Sequence, residues 1–89
     1  MSDDDSAPFE IPIEDALDLH AFQPNEIRDV TREYLTEARR RGLYEVRLIH
    51  GRGTGVQRAN VQSLLRTLDF VEDFRDDAHL GATVVRLKR

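Results

Sequence analysis

The 89-residue chain contains no cysteine, so it can form neither a disulfide framework nor a thiolate zinc site, and packing must stabilise it. It also has no apolar run near the roughly 18 residues that span a bilayer. Its first ten residues, MSDDDSAPFE, offer neither a basic nor an apolar segment for secretion. We therefore expect a cytoplasmic protein with no membrane association. With 39% hydrophobic residues, the chain has room for one small domain.

Lysine and arginine are absent from residues 1–15. The first fifteen residues hold six acids: Asp3, Asp4, Asp5, Glu10, Glu14 and Asp15. The remaining residues carry thirteen bases against eleven acids, so the overall charge of -4 conceals a mildly basic remainder. We predict a flexible acidic arm over residues 1–15 and a folded domain over residues 16–89. The arm is expected to be solvated, the alternative being competition with a polyanionic ligand for the basic face.

The first half of the chain predicts a strand and a helix. The apolar run in EDALDLHAF is typical of a short buried strand. In QPNEIRDVTREYLTEARRRG, Pro24 suits the first helical position and Gly42 a left-handed cap. Apolar residues recur between them at helical spacing, namely Ile27, Val30, Tyr34, Leu35 and Ala38.

The second half predicts a strand, a helix and two closing strands. LYEVRLIH indicates a buried strand, and residues 56–68 form an amphipathic helical pattern. FVEDFRDD and GATVVRLKR then indicate two strands joined by a polar turn at residues 77–81. The resulting βαβαββ order predicts an α/β fold: a two-layer sandwich of two helices on a mixed four-stranded sheet, with the first two strands parallel.

Three glycines at alternate positions interrupt this pattern in HGRGTG, residues 50–55. The loop follows a strand and precedes a helix, where unpaired amides and the helix dipole favour an anion, and glycines allow close approach. Arg52 and Arg58 add cationic donors. The spacing matches neither a dinucleotide fingerprint nor a Walker loop. The loop therefore indicates a phosphate site, the alternative being a tight turn alone.

A second polar group lies in LDLH, where Asp18 and His20 alternate with apolar residues along the first predicted strand. If that strand is parallel and adjacent to the next, Asp18 and His20 lie beside His50 at one sheet edge. Such a set could align a water and stabilise a phosphodiester transition state. Alternatively, Asp18 is a turn acceptor and the histidines are structural. The histidines have no metal-ligand spacing, so no protein-bound cofactor is expected, although Asp18 could help hold a phosphate-bound Mg²⁺.

LDLH, HGRGTG and GATVV, in this order, together resemble the small MutS-related (Smr) domain family over nearly the whole chain after the arm. The resemblance implies a fold similar to the C-terminal domain of bacterial translation initiation factor three. It also implies nucleic-acid binding, and in several members endonuclease activity: nicking of DNA linked to repair and recombination, or cleavage of RNA. It links Asp18 and His20 to cleavage, and His50 is the third catalytic candidate because it is expected at the same sheet edge. The expected phosphate ligands are Gly51, Arg52, Gly53, Thr54, Gly55 and Arg58.

The chain departs from the family pattern at three places. Ala21 replaces the usual glycine after LDLH, Gln57 stands where leucine is common, and the turn at residues 78–81 is short. The last two changes affect expected substrate contacts more than the fold. Phe22 is the aromatic residue expected to lie exposed beside the groove, while Tyr34 is expected in the core.

Three functions are consistent with these observations. The first is a nicking endonuclease that acts on DNA in preference to RNA. The second is a non-catalytic nucleic-acid-binding module, which would use the same loop to grip the backbone. The third is a protein-interaction adaptor using the acidic arm and the helix faces. We expect a monomer.

Overall fold

The computed structural model describes residues 13–53, 55–78 and 81–89. Its regular elements are β1 (Ala16–Asp18), α1 (Ile27–Arg40), β2 (Glu45–Ile49), α2 (Val56–Leu65), β3 (Val71–Asp76) and β4 (Ala82–Leu87). Two short 3-10 helices, Leu19–Ala21 and Pro24–Glu26, connect β1 to α1. The predicted βαβαββ order is confirmed. The greater part of the predicted acidic arm, residues 1–12, lies outside the described residues.

The sheet has the strand order β1-β2-β4-β3. β1 and β2 are parallel, as predicted, whereas β4 pairs antiparallel with both β2 and β3. Asp18, the last residue of β1, pairs with Ile49, the last residue of β2. LDLH and HGRGTG therefore leave the sheet side by side, because the ends of parallel neighbours meet at one edge.

α1 buries the apolar stripe that the sequence predicted. Ile27, Val30, Tyr34, Leu35 and Ala38 are each at most 2% exposed and belong to the core cluster. Gly42 follows the helix at φ +81°, the left-handed conformation expected of a glycine cap. The Tyr34 hydroxyl donates a hydrogen bond to the Glu14 carbonyl oxygen, which ties the segment before β1 to the helix.

Two elements end earlier than predicted. α2 ends at Leu65 rather than near Leu68, because the hydrogen bonds change from the α-helical to the 3-10 pattern. The Thr67 N–H donates to the Leu64 carbonyl oxygen, three residues earlier. The Thr67 hydroxyl donates to the same oxygen over 2.7 Å. β1 ends at Asp18, so His20 does not lie on the strand but in the 3-10 helix that follows.

The two helices pack against the sheet and each other, and residues from all four strands line the core. β2 shows the alternation that this layering requires: Val46 and Leu48 are buried while Glu45 and Arg47 are exposed. Within the described part of the chain, neither helix has the length and apolar character needed to cross a bilayer.

Candidate functional site

Asp18 and His20 form a hydrogen-bonded pair at the end of β1. The Asp18 carboxylate caps the 3-10 turn, since its Oδ1 accepts the His20 backbone N–H over 2.9 Å. The same oxygen lies 2.8 Å from His20 Nδ1. Because an ionised carboxylate only accepts, Nδ1 carries the proton. The backbone bond, followed by the side-chain bond, lowers the pKa of Asp18. Asp18 is therefore a charged acceptor that orients the imidazole.

The His20 ring lies against the glycine loop. Gly51 has φ +81°, and a Cβ atom placed on it would be 2.6 Å from His20 Nε2. A larger residue at position 51 would displace the His20 ring, and the positive φ favours glycine there. The Gly51 N–H donates to the Gly81 carbonyl oxygen over 2.9 Å. The amide of Gly51, a predicted phosphate ligand, is therefore already hydrogen-bonded within the domain.

His50 is buried, with 6% of its surface exposed, and both its ring nitrogens have partners. Nδ1 lies 2.9 Å from the Gly51 carbonyl oxygen, which can only accept, so Nδ1 bears the proton. Nε2 lies 2.9 Å from Thr83 Oγ1 and, in the neutral ring, accepts a hydrogen bond from this hydroxyl. This geometry suits a residue that fixes the loop, whereas His20 has its Nε2 directed at the loop.

The bonds to His50 continue into a network that joins α2 to β3. The Gln62 amide nitrogen donates to Thr83 Oγ1 over 3.1 Å and to Asp76 Oδ1 over 2.8 Å. Arg58 donates two bonds to the same carboxylate, over 2.7 and 2.5 Å. Hydrogen bonds from Arg58 and Gln62 lower the pKa of Asp76 to about 2. Arg58, a predicted phosphate ligand, is thus engaged in an ion pair.

Arg52 differs from Arg58 because its guanidinium makes no ion pair with any described residue. Its side chain is exposed, and it borders a cavity of about 220 Å³ together with His50, Gly51, Gly53, Gly55, Val56 and Gln57. α2 begins next to this cavity with Gly55 at φ +86° and has no acidic residue in its first turn. The positive end of the helix dipole and Arg52 both favour an anion here. Thr54, also predicted to bind phosphate, lies outside the described residues.

An apolar cavity of about 170 Å³ adjoins the first one. Its lining residues are Leu19, His20, Phe22, Pro24, Ile27, His50 and Gln57. Phe22 is half-buried and packs against the core, so the prediction of an exposed ring is only partly correct. Tyr34 is fully buried, as predicted. His50 and Gln57 border both cavities.

Larger depressions, of about 470 and 500 Å³, lie elsewhere on the surface. Paired ions line them, including Arg47 with Asp77 and Arg86 with Glu72. Neither is bordered by a residue of LDLH or HGRGTG. The smaller pair of cavities is the one that combines an unpaired cation, a helix start and an oriented imidazole.

The site thus assembles Asp18, His20, Gly51 and His50, while Arg58 is turned toward β3. Sequence reasoning missed Thr83, Gln62 and Asp76, which hold His50 and Arg58. One signal was present for Thr83: it is a hydroxyl residue within the otherwise apolar GATVV segment, and it is fully buried. For metals, the described ranges contain no cluster of three histidine or acidic side chains with ligand geometry.

Sequence and structure comparisons agree with this geometry. A profile described as Smr domain matches residues 17–88. The chain belongs to the Smr domain family. Endonuclease MutS2 of Clostridium kluyveri is 34% identical to this Smr domain over 77 residues, which cover 82% of this chain and 10% of the relative. Endonuclease MutS2 of Clostridium tetani is 36% identical over 80 residues, covering 85% of this chain and 10% of the relative.

Solved structures have the same architecture. The Smr domain of Thermus thermophilus MutS2 superposes with a TM-score of 0.79 at 35% identity, covering 85% of this chain and 100% of that one. YdaL, a stand-alone small MutS-related protein from Escherichia coli, gives a TM-score of 0.72 at 24% identity, over 90% and 69% of the two chains, and supports the fold alone. This Smr domain spans about a tenth of the length of the MutS2 relatives.

Proposed function

We propose that this Smr domain binds the sugar-phosphate backbone of nucleic acid, DNA in preference to RNA, and nicks it by hydrolysis of a phosphodiester, in repair or recombination. One observation carries the proposal: His20 Nε2 faces the glycine loop while Asp18 holds Nδ1. An oriented imidazole beside an anion site is the arrangement that general acid–base catalysis at a phosphate needs. The name of the MutS2 relatives, endonuclease, supports the same chemistry.

Each residue has a distinct role in this proposal. Arg52 and the start of α2 hold the phosphate, because they supply positive charge at the 220 Å³ cavity. His20 Nε2 removes a proton from the attacking water as the new P–O bond forms and the bond to the leaving oxygen breaks. The leaving oxygen takes up a proton from solvent water, which completes the hydrolysis. Asp18 fixes the tautomer that leaves Nε2 free to accept. His50 positions the loop rather than transferring protons, since both its nitrogens are bonded.

A Mg²⁺ ion brought by the substrate would fit only in part. Mg²⁺ prefers six oxygen ligands, and Asp18 is the carboxylate nearest the loop that could contribute one. Its Oδ1 already accepts two bonds from His20, so Oδ2 would be the ligand. Phosphate oxygens and water would have to supply the others. Such an ion would help to neutralise charge on the phosphate.

Plasmid nicking tests the catalytic part of the proposal. Purified wild-type protein and the His20→Ala and Asp18→Asn variants are incubated with supercoiled and with branched DNA. We expect both substitutions to lower the nicking rate by about 100-fold or more, because each removes the oriented base. Arg40→Ala is the matched control, since Arg40 is an exposed arginine on α1 that pairs with Glu37. Equal nicking by the wild type and His20→Ala would attribute the activity to a contaminant.

A binding module without catalysis is the second candidate, and the exposure of the pair favours it. The side chains of Asp18 and His20 are both 62% exposed, so the fold does not exclude water from them. In that case the wild type binds but does not nick, and Arg52→Ala weakens binding. The affinity should fall by about 0.9 log units per log unit of salt for each phosphate contacted. Parallel titrations with DNA and RNA of one sequence measure the preference.

A further inference from the structure

Gln57 carries a buried polar atom that the fold does not satisfy. Its Oε1 is inaccessible to solvent and has no hydrogen-bond partner. Among the described residues only Thr31 Oγ1 shares this property, and Thr31 borders neither cavity of the site. A buried acceptor without a donor lowers stability, so its presence beside a candidate binding site points to a ligand that supplies the donor.

The position of Gln57 limits what that ligand can be. Gln57 and His50 form the boundary between the 220 Å³ cavity at the glycine loop and the 170 Å³ cavity beside His20. The first favours a phosphate. The second is walled by Leu19, Phe22 and Ile27 and favours an apolar, planar group. A ligand that fills both therefore joins an anion to an apolar ring with a hydrogen-bond donor at its edge.

We infer that Gln57 and the apolar cavity bind one unpaired nucleobase next to the phosphate held by the glycine loop. Every nucleobase offers a donor on its pairing edge, and that edge and the ring faces are accessible only when the base is unpaired and unstacked. The side-chain amide of Gln57 turns to meet this donor, so its unsatisfied oxygen gains a partner. This inference rests on the proposed function and defines its substrate: single-stranded or flipped-out nucleotides rather than regular duplex.

Fluorescence polarisation on the full chain tests the inference at low salt. The probes are a labelled oligodeoxythymidine, an abasic strand of the same length and charge, and a duplex. We expect the wild type to bind the base-bearing strand about three- to tenfold more tightly than the abasic strand, the range expected for one hydrogen bond and a partly buried ring. The duplex should bind no better than the abasic strand.

Gln57→Leu should reduce this difference to within about twofold, chiefly by weakening the binding of the base-bearing strand. The same substitution should raise the melting temperature, because it removes a buried unpaired oxygen. A folding defect would lower the melting temperature and weaken the binding of both DNA strands. Ser63→Ala, at an exposed position of the same helix, is the control and should behave as the wild type.

The outcomes separate this inference from the function on which it rests. Equal binding of both strands that still depends on Arg52 would overturn the nucleobase site and leave the phosphate site standing. No binding of any probe would overturn the proposed function itself. A wild-type strand preference that persists in Gln57→Leu would overturn the role of Gln57. A Gln57-dependent preference for RNA over DNA, without a difference between base and abasic strands, would assign the donor to the ribose hydroxyl and also overturn the inference.

Discussion

Gly51 is the residue at which LDLH and HGRGTG meet. Four glycines have positive φ, but only Gly51 lies within 3 Å of another side chain when a Cβ is added to it, the neighbour being His20 Nε2 at 2.6 Å. Gly55 has nearly the same φ, +86°, with nothing within 4 Å. The two positions therefore impose the same backbone requirement and differ in the contact with the imidazole.

Gly51→Ala should lower the free energy of unfolding more than Gly55→Ala, because both introduce a left-handed alanine and only the first displaces His20. The left-handed conformation itself costs about 1–2 kcal/mol for a non-glycine residue. Chemical denaturation of both variants measures the excess. Adding His20→Ala should restore most of the excess in Gly51→Ala and none of the loss in Gly55→Ala. Equal destabilisation of the two alanine variants would contradict the contact.

Both ring nitrogens of His50 have partners within the domain. The sequence placed it among the catalytic candidates, but the fold buries it and uses both nitrogens, a result of the register between β2 and β4 that a linear sequence does not display. Thr83 is 33 residues away in the chain, and no local pattern links it to His50.

Thr83→Val should destabilise the domain by about 1–3 kcal/mol, because it removes the hydroxyl between His50 Nε2 and the Gln62 amide and leaves buried polar atoms unpaired. Thr83→Ser keeps the hydroxyl and should destabilise the domain less, which makes it the matched control. Thermal unfolding measures both, and nitrogen NMR shifts of the imidazole report whether the proton stays on Nδ1. An unchanged melting temperature in Thr83→Val would show that the bond contributes nothing.

At the level of elements, Asp76 joins β3 to α2. Its carboxylate accepts bonds from Arg58 and Gln62, two residues one helical turn apart on α2. The helix pattern and the strand pattern were both predictable from apolar spacing. The pairing was not, because it depends on which face of α2 turns toward β3. The helix end at Leu65 was missed for a related reason: the Thr67 bonds compete with continued helix.

The pKa of Asp76 gives this junction a predictable acid dependence. The bonds lower its pKa from 3.8 to about 2, so the folded state favours the charged form. The contribution of the pair to stability is therefore complete above about pH 4 and is lost as the pH falls toward 2. In Asp76→Asn, the melting temperature should fall less steeply than in the wild type over this interval. Asp69→Asn, at an exposed aspartate with no ion pair to a described residue, should keep the wild-type slope. Parallel slopes for all three proteins would contradict the assignment.

For the whole molecule, the sequence predicted the order of elements, the parallel pair and the meeting of the two motifs. These features follow from apolar periodicity and from the geometry of strand–helix–strand units, which are local or nearly local. The sequence did not predict which side chains of the site are engaged in contacts within the domain. Whether Arg52 or Arg58 is available, and whether His20 or His50 keeps a ring nitrogen without a hydrogen-bond partner, depends on side-chain contacts with α2, β3 and β4.

Charge distribution is the remaining property of the whole chain that bears on function. Residues 1–12 contain four acids and no base, so removing them changes the formal charge from -4 to 0. A chain that starts at Ile13 keeps the contact of that residue with the core. If the domain binds a polyanion, this deletion should strengthen binding at low salt and have little effect at high salt, since separated charges are screened beyond about 10 Å at 0.1 M.

Salt titrations of nucleic-acid binding by the full chain and by the chain lacking residues 1–12 measure this effect. Replacing Asp3, Asp4 and Asp5 with asparagine in the full chain separates charge from chain length. We expect the triple variant to reproduce most of the gain, because it removes three of the four acids while retaining the segment. The deletion could instead raise the affinity at high salt as well, while the triple variant does not. That result would indicate that the segment covers the binding surface. Identical affinities for all three proteins would show that the acidic residues do not influence binding.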